Sequence, residues 1–306
     1  MFDIHELKPS EEADFISLWS ETFGDSREDI IEFYKIFSDD LIRFALTDVE
    51  FGNVVLSSLT LFKMGKLFIP GAEEDFNLYI SYAICTKPNA RGRGYGAAIT
   101  RFASEYVKKM NLRSPSTTNL SALSPASESL IDFYNPLGYD NFFFSEYKAL
   151  DSVKRLTENI NISVISPEEY NKKRERILEN IVHISLSENS LKYLSSYNTF
   201  ISFNDDSLNL NGISTFSPIS KGDELMISEL LLSNNGSMSS SIPLSDYENA
   251  ASAISLKLGA SHAKYRFPSS SSNSIVQGML YEGSKISSIV NNTLPGIKPY
   301  LGFPFD

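Results

Sequence analysis

The chain has 306 residues, of which 42% are apolar and 21% charged, and its formal net charge is −11. This length and composition are typical of two globular domains of ordinary size. The acidic balance argues against nucleic acid and against anionic membrane surfaces as partners. The N-terminus lacks the basic and apolar regions of a signal peptide, and no apolar run approaches the ~18 residues that span a bilayer, so we expect a cytoplasmic protein.

Cysteine and histidine usage limits the possible chemistry. A single cysteine, Cys85, excludes an internal disulfide and a cysteine-based zinc cluster. Its place in an apolar strand is more typical of a small core residue than of a nucleophile. No motif groups His5, His183 and His262, so we expect neither a catalytic triad nor a metal site.

The first 150 residues alternate between strand-like and helix-like patterns. Ser10 and Ser26 are placed to cap two helices, which Gly24 separates. The predicted elements are a strand over 2–8, helices over 10–23 and 26–38, strands over 41–48, 54–63, 66–69 and 77–86, a helix ending near 110, a strand over 116–123, a helix over 126–137 and a strand over 142–149.

A glycine-rich loop, Arg91-Gly-Arg-Gly-Tyr-Gly-Ala97, connects the strand over 77–86 to the next helix. Glycines let backbone N–H groups turn towards an anion, and a helix N-terminus adds unpaired donors and the positive end of its dipole. The loop therefore predicts a pyrophosphate site. We expect Gly94→Val to block binding sterically while the fold stays intact. The residues of the loop assigned to this site are Arg91, Gly92, Arg93, Gly94, Gly96 and Ala97.

Two other phosphate motifs fit less well. The loop matches the loose dinucleotide pattern G-x-G-x-x-G/A, but five residues, 87–91, separate the strand from the first glycine. An acidic residue for a ribose is expected about 20 residues further on, and residues 113–119 contain none. No Gly-Lys-Ser/Thr follows either, which excludes a Walker A loop.

The strand, loop and helix closely resemble motif A of the GNAT family of N-acetyltransferases, which reads x-Pro-x-x-Arg-Gly-x-Gly-x-Gly/Ala. A second stretch, residues 121–140 with Phe133-Tyr-Asn-Pro-Leu-Gly-Tyr139, is similar to motif B of that family. The resemblance implies the GNAT fold, an α/β (α+β) architecture with a mixed, mostly antiparallel central sheet flanked by helices. It also implies that the loop holds the pyrophosphate of acetyl-CoA and that no metal takes part.

The resemblance assigns roles to individual residues. The exposed edge of the strand at Ile84, Cys85 and Thr86, splayed from its neighbour, is expected to hydrogen-bond the pantetheine arm through its backbone. Tyr134 stands where the family places its general acid, which gives a proton to the departing thiolate. The alternative for Tyr134 is a core tyrosine that packs beside Phe133.

Two positions depart from the family pattern. Many members have an asparagine that bonds the pantetheine where this chain has Ser127, and Ser127 is either a replacement for it or only part of the helix start. The strand also lacks the glutamate that often serves as general base. The nearest candidates to act, through water, are Glu73, Glu74 and Asp75 before the strand and Tyr82 within it.

The resemblance therefore implies an enzyme that moves the acetyl group of acetyl-CoA directly to a primary amine, carried by a small molecule or a peptide. The competing hypothesis is a catalytically inactive protein that kept the fold to sense acetyl-CoA or another ligand, or to bind a partner. The intact loop and Tyr134 favour the enzyme. The missing strand carboxylate favours the sensor.

Serine and asparagine become frequent after residue 150, and the second half predicts the element order of the first half again. No phosphate loop recurs, because residues 234–237 contain one glycine and no arginine. We therefore predict a GNAT domain over 1–150 and a degenerate GNAT-like domain, without a cofactor site, over 151–306; the alternative for the latter is an unrelated α+β domain. The predicted elements are helices over 167–186 and 244–258, strands over 199–203, 208–217, 224–232 and 262–267, and short strands near Val276 and Tyr300.

The last eight residues, 299–306, contain four large apolar or aromatic side chains. Burying such a side chain stabilises a fold by roughly 1.5–3 kcal/mol, so we expect this tail to be a docked strand. Asp306 is a second candidate for the missing base, and the alternative is a purely structural tail.

Overall fold

The computed structural model describes residues 1–74, 76–112, 117–153, 159–217, 223–233, 237–238, 242–268, 274–283, 285–286 and 297–302. The chain forms two compact units. Unit 1 consists of Met1–Lys66, Glu73–Asn141 and Gly278–Lys285, and unit 2 of Leu67–Ala72, Phe142–Gln277 and Ile286–Asp306. Among the described residues, no helix combines the length and the apolar character needed to cross a bilayer.

Thirteen strands and seven α-helices are found in the described part of the chain. In the first half they are β1 (Phe2–Glu6), α1 (Glu12–Phe23), α2 (Arg27–Ile36), β2 (Leu41–Asp48), β3 (Val55–Phe68), β4 (Phe76–Thr86), α3 (Tyr95–Met110), β5 (Thr118–Leu123), α4 (Glu128–Tyr134) and β6 (Tyr139–Leu150). In the second half they are β7 (Asn161–Val164), α5 (Pro167–Ile177), β8 (His183–Leu186), α6 (Glu188–Tyr197), β9 (Thr199–Asp205), β10 (Leu210–Phe216), β11 (Glu224–Leu232), α7 (Leu244–Lys257), β12 (His262–Pro268) and β13 (Ile275–Tyr281).

Unit 1 is built on a mixed sheet with the strand order β1-β2-β3-β4-β5-β13. Neighbours β1, β2 and β3 are antiparallel, β4 and β5 are parallel, and β13 is antiparallel to β5. Parallel neighbours need a crossover connection, which α3 provides between β4 and β5. The N-terminus of α3 therefore lies at the carboxyl end of β4.

The apolar stripe of α3 packs on this sheet. Ile99, Ala103 and Val107 recur at helical spacing and are buried in one cluster with Phe44 of β2 and Leu59 of β3. On the other face, aromatic rings join the first two helices to β4. The ring centroids of Trp19 and Phe33 each lie 5.4 Å from that of Tyr82.

Unit 2 repeats the arrangement of unit 1, as the sequence predicts. Its strands follow the order β7-β9-β10-β11-β12-β6. Strand β7 pairs with β9, and β9, β10 and β11 are antiparallel neighbours. Strands β11 and β12 are parallel and joined by α7, as β4 and β5 are joined by α3. Each unit thus has the same core of five strands with one parallel crossover.

The last strand of each half completes the sheet of the other unit. Strand β6 pairs with β12 from Leu150↔Ala263 to Ser145↔Pro268, whereas β13 pairs with β5 at Met279↔Leu123. The units therefore divide after Asn141, not between residues 150 and 151, and residues 278–285 return to unit 1. Sequence periodicity predicts a strand but not which sheet edge it joins, so this exchange is invisible in the pattern.

Two helix predictions need correction. The polar helix predicted over 167–186 ends at Ile177, and residues 183–186 form strand β8. The next helix, α6, was not predicted from the sequence; Ser187 caps it by accepting a hydrogen bond from the N–H of Ser190. A serine cap is a weak signal when serine is frequent throughout the segment.

Local chemistry shifts three further boundaries. Ser10 lies in a 3-10 turn and caps no helix, whereas Ser26 caps α2 as predicted. The helix predicted over 126–137 ends at Tyr134, and a 3-10 turn containing Pro136 follows. The strands predicted over 54–63 and 66–69 are one strand, β3.

The chain end is docked at Tyr300. This residue forms a parallel bridge with His183, and its N–H donates to the carbonyl of Val182 at 2.8 Å. This is an isolated bridge and not a strand, so residues 299–302 are docked but do not form the predicted strand; residues 303–306 lie outside the described residues. Asp306 and residues 234–236 lie outside the described residues, so the base proposed at Asp306 stays a prediction.

Candidate active site

Strand β4 separates from β5 halfway along its length. The two strands pair from Phe76↔Thr118 to Ile80↔Ala122, and β4 then continues to Thr86 without β5. Ala83 has a φ of +49°, a conformation that non-glycine residues rarely adopt, and it is buried. Such a residue in a strand marks a bulge, which bends the strand and ends its pairing.

Backbone alternation shows which groups of β4 face the resulting gap. The N–H of Lys87 donates to Leu56 of β3 at 2.8 Å, and Ser57 of β3 donates through Oγ to the carbonyl of Cys85 at 2.6 Å. The peptide groups of Cys85 and Lys87 therefore face β3, and those of Ile84 and Thr86 face away from it. The structure thus gives the strand edge assigned to Ile84, Cys85 and Thr86 an open side, with Ile84 and Thr86 supplying the outward groups.

The glycine loop begins where β4 ends. Gly92 and Gly94 have φ values of +78° and +79°, and a Cβ added at either would meet nothing within 4 Å among the described atoms. Gly94 is the N-cap of α3 and offers no side-chain cap, so the first N–H groups of the helix, from Tyr95 to Ala97, lack intrahelical partners. Open space, positive φ and unpaired donors are the features that an anion cradle requires.

The two loop arginines lie in different environments. Arg91 donates through Nε to the carbonyl of Thr86 at 3.1 Å and so ties the loop to the open edge of β4. Arg93 pairs with Glu50 at 3.2 Å and its guanidinium lies 4.8 Å from the ring centroid of Phe51. This exposed pair contributes at most about 1 kcal/mol, which a phosphate oxygen can outcompete.

Two side chains that were not identified from the sequence, Tyr95 and Asp48, support the loop. The Tyr95 hydroxyl donates to Asp48 at 2.8 Å, and the carboxylate of Asp48 also accepts the N–H of Glu50 at 3.0 Å. The Glu50 N–H is the largest of the interactions that lower the pKa of Asp48. Acid–tyrosine pairs distant in sequence carry no local pattern, so only the fold reveals this anchor.

Gly96 brings α3 close to both β4 and α4. A Cβ at this position would lie 3.4 Å from Oγ1 of Thr86 and 3.8 Å from Cζ of Phe133. Thr86 is itself held by a hydrogen bond of 2.9 Å to Ser57. Ala97 follows in the first turn and is partly exposed. The loop residues assigned from the sequence, 91–97, thus lie together at the end of the open strand edge.

Tyr134 is the last residue of α4, and its ring is buried between Phe133 and Tyr139, with centroids 5.1 and 6.1 Å away. Burial raises its pKa well above the ordinary value, and the neighbouring Tyr139 and Cys85 add to the shift. The phenol therefore keeps its proton at neutral pH and can act as an acid. The preceding residue, Phe133, packs beside Gly96 of α3, so the end of α4 lies next to the glycine loop.

Cys85 and Ser127 have lesser roles than their positions suggest. Burial raises the pKa of Cys85 to about 11, so the side chain is an inert core thiol and only its backbone belongs to the strand edge. Ser127 is exposed at the start of α4, makes no cap and hydrogen-bonds Ser129 at 2.9 Å. Its hydroxyl is available to solvent or a ligand, and its role stays a prediction.

The general base is not identified by the structure. Tyr82 packs in the aromatic cluster with Trp19 and Phe33. Glu73 and Glu74 precede β4 and are exposed, and Asp75 lies outside the described residues. Within the described residues, no group of three or more histidine, cysteine, aspartate or glutamate side chains could hold a metal ion.

The corresponding region of unit 2 contains a buried ion pair. Pairing of β11 with β12 ends at Ile227↔Tyr265, and Glu229 follows on β11. Its carboxylate accepts from Arg174 at 3.0 Å and from the Tyr170 hydroxyl at 2.6 Å, and all three side chains are inaccessible to solvent. Strand β11 continues beyond this pairing to Leu232, as β4 continues beyond its pairing with β5, and the buried ion pair lies at this point. The expectation that this domain has no cofactor site stays a prediction.

Comparisons with known proteins identify the type of domain that carries these features. Residues 3–142 match the family model described as "Acetyltransferase (GNAT) domain". The match covers 140 of the 306 residues and concerns the first half of the chain. No curated protein shows significant sequence similarity to the chain.

Solved structures share the fold along most of the chain. A conserved protein of unknown function from Enterococcus faecalis V583 is similar with a TM-score of 0.65 at 13% identity, over 92% of this chain and 73% of the other. A GCN5-related N-acetyltransferase from Anabaena variabilis ATCC 29413 gives 0.63 at 12% identity, over 92% and 72%. One from Kribbella flavida gives 0.59 at 13% identity, over 92% and 71%. At these identities the likeness concerns the fold alone, and it extends into unit 2.

Proposed function

We propose that the protein is an acetyl-CoA-dependent N-acetyltransferase that transfers the acetyl group directly to a primary amine. The observation that carries this proposal is the opening of β4 from β5 after Ile80, in the strand that leads to the uncapped, glycine-led N-terminus of α3. A pyrophosphate and an extended amide-containing arm are what these two adjoining surfaces fit. Acetyl-CoA contains both.

The chain's own residues would then divide the work. Backbone N–H groups from Gly92 to Ala97, with Arg91 and Arg93, would bind the pyrophosphate. The outward peptide groups of Ile84 and Thr86 would hold the pantetheine arm and donate to the thioester oxygen. As the amine nitrogen attacks the carbonyl carbon and the carbon–sulfur bond breaks, Tyr134 would give its proton to the sulfur. The proton of the amine would leave to water.

The partner we propose is a small-molecule or peptide amine, and the net charge of −11 favours a cationic one. A cytoplasmic protein agrees with a single, buried and unpaired cysteine. The alternative function, a sensor that binds acetyl-CoA without turnover, is favoured by one observation: β4 carries no carboxylate, and its Tyr82 is packed among aromatic rings.

Tyr134→Phe tests the enzyme directly. We expect kcat, measured as CoA thiol release with a panel of amines, to fall about 10- to 1000-fold because the positioned acid is lost. The Kd of acetyl-CoA, measured by calorimetry, should stay within about twofold because the ring remains. Tyr197→Phe, which removes an exposed hydroxyl in α6, is the matched control.

The outcomes separate the two functions. Tight acetyl-CoA binding without thiol release for any amine class would support the sensor. No binding by the wild-type protein would refute the assignment of the loop and of the open strand edge. An unchanged kcat in the variant would show that Tyr134 is only a core residue. A pre-steady-state burst measurement should accompany this result, so that slow product release does not mask the chemical step.

A further inference from the structure

We propose that Tyr281, contributed by the second half of the chain, is a positioning residue for Tyr134. The inference rests on the proposed function, because it concerns how the proton donor is held. Tyr281 is the last residue of β13, in the segment Gly278–Lys285 that belongs to unit 1. The site of the first half is therefore completed by residues that follow it by more than a hundred positions.

Tyr281 packs directly on the turn after α4. A Cβ added to Gly138 would lie 2.8 Å from Cε2 of Tyr281, so the ring occupies the space that any other residue at 138 would need. Gly138 has a φ of +96° and ends the 3-10 turn that follows Tyr134. The N–H of Glu282 donates to the carbonyl of Gly138 at 2.8 Å. Ring and backbone together fix this turn.

The same segment is anchored to α3, the helix of the proposed cofactor loop. The Tyr281 hydroxyl donates to Glu105 at 2.6 Å, and Glu282 pairs with Lys108 at 3.0 Å. On its other side, Leu280 pairs with Ala122 of β5. Tyr281 is thus held from three directions while its ring supports the turn.

A series of rings leads from this anchor to the proton donor. The centroids of Tyr281 and Tyr139 are 5.4 Å apart, and those of Tyr139 and Tyr134 are 6.1 Å apart, both with edge-to-face geometry. Tyr139 is fixed by a hydrogen bond of 3.1 Å between its hydroxyl and Ser121. Displacing Tyr281 would remove the ring that packs on Tyr139. It would also free the 3-10 turn that lies between Tyr134 and Tyr139.

Aromatic packing positions the Tyr134 ring, which lies 5.1 Å from Phe133 and 6.1 Å from Tyr139 between ring centroids. Its helix, α4, has only seven residues and is too short to be rigid by itself. A proton donor must lie within about 1 Å of its working position, so loss of the ring support is expected to act on the chemical step.

A double-mutant cycle tests this role. Tyr281→Ala should lower kcat about tenfold while the Kd of acetyl-CoA changes less than about twofold. In a Tyr134→Phe background the same substitution should cause no further loss, because both changes act through one group. Tyr281→Phe keeps the ring and should restore most of the activity. Tyr197→Ala, an exposed tyrosine of α6, is the control for removing a ring.

Multiplicative losses in the double variant, or an unchanged kcat in Tyr281→Ala, would overturn the inference. Amide hydrogen exchange needs no turnover, so it tests the positioning role of Tyr281 independently of the proposed function. In Tyr281→Ala, amide hydrogen exchange of the peptide covering 128–139 should be at least about tenfold faster, while that of α7 stays unchanged. Equal exchange of both segments in variant and wild type would refute the positioning role even if the protein proved to be no enzyme.

Discussion

Two glycines of the proposed cofactor loop should respond in opposite ways to the same substitution. Gly94 has a φ of +79°, so Gly94→Ala places a Cβ in the left-handed region at a cost of about 1–2 kcal/mol, although nothing is near enough to clash. Gly96 lies in the first turn of α3 without a positive φ, and Gly96→Ala should gain about 0.5–1 kcal/mol from reduced backbone freedom. With roughly 2–4 °C per kcal/mol, the two Tm shifts should differ in sign.

The same pair should separate stability from binding. The methyl group in Gly96→Ala would lie 3.4 Å from Oγ1 of Thr86 and 3.8 Å from Phe133, in ordinary contact with the protein. It also fills part of the space beside the open edge of β4, where a closely fitting ligand meets a penalty of about 1–3 kcal/mol. We therefore expect a more stable protein whose Kd for acetyl-CoA rises by about tenfold.

Thermal unfolding followed by circular dichroism and calorimetric titration with acetyl-CoA measure both quantities. An unchanged Kd in Gly96→Ala would show that the ligand does not pass between α3 and β4. A Gly94→Ala variant as stable as the wild type would refute the strain estimate. The positive φ of Gly94 adds strain of about 1–3 kcal/mol to Gly94→Val, so its binding measurement needs a stability control; that the fold stays intact remains a prediction.

Three further changes have defined outcomes. Because burial raises the pKa of Tyr134 above its ordinary value, the phenol stays protonated through neutral and mildly alkaline pH. We therefore expect kcat to show no fall between pH 7 and about 9.5. A fall that is present in the wild type and absent in Tyr134→Phe would contradict this expectation. With a pKa of about 11, only about one part in a thousand of Cys85 is thiolate at pH 8. Alkylation by iodoacetamide should therefore be at least about a hundredfold slower in the native than in the urea-unfolded protein. Equal rates in the two states would show that the thiol is not buried. Arg174→Met leaves the carboxylate of Glu229 without its charged partner, so the free energy of unfolding measured in urea should fall by about 3–5 kcal/mol. A fall below about 1 kcal/mol would show that the pair is not buried in solution.

The site loop could be predicted because its chemistry is local. Three alternating glycines between an apolar strand and an amphipathic helix permit the positive φ values that a tight turn needs, and the structure has such values at Gly92 and Gly94. Tyr134 was assigned through the family resemblance, and the predicted helix over 126–137 ran three residues too far because the 3-10 turn at Pro136 was not recognised.

The remaining features depend on contacts between distant parts of the chain. The bulge at Ala83 has no residue signal, since alanine is not the usual choice for a positive φ. The anchor between Tyr95 and Asp48 and the packing of Tyr281 on Gly138 join residues far apart in sequence. Strand β8 was mistaken for helix because four residues of His-Ile-Ser-Leu are too few to establish a period of two.

Because β13 pairs with β5 although it lies much later in the chain, the sheet of unit 1 is completed late during synthesis. Strand β5 obtains its neighbour β13 only after roughly 150 further residues have been made, which at ribosomal rates takes on the order of 10 s. During that interval one edge of the first sheet, next to the proposed site, has unpaired backbone groups, and such an edge is prone to pair with other chains. A nascent or truncated first half should therefore depend on chaperones, while the finished chain gains a long-range contact that slows its unfolding as well as its folding.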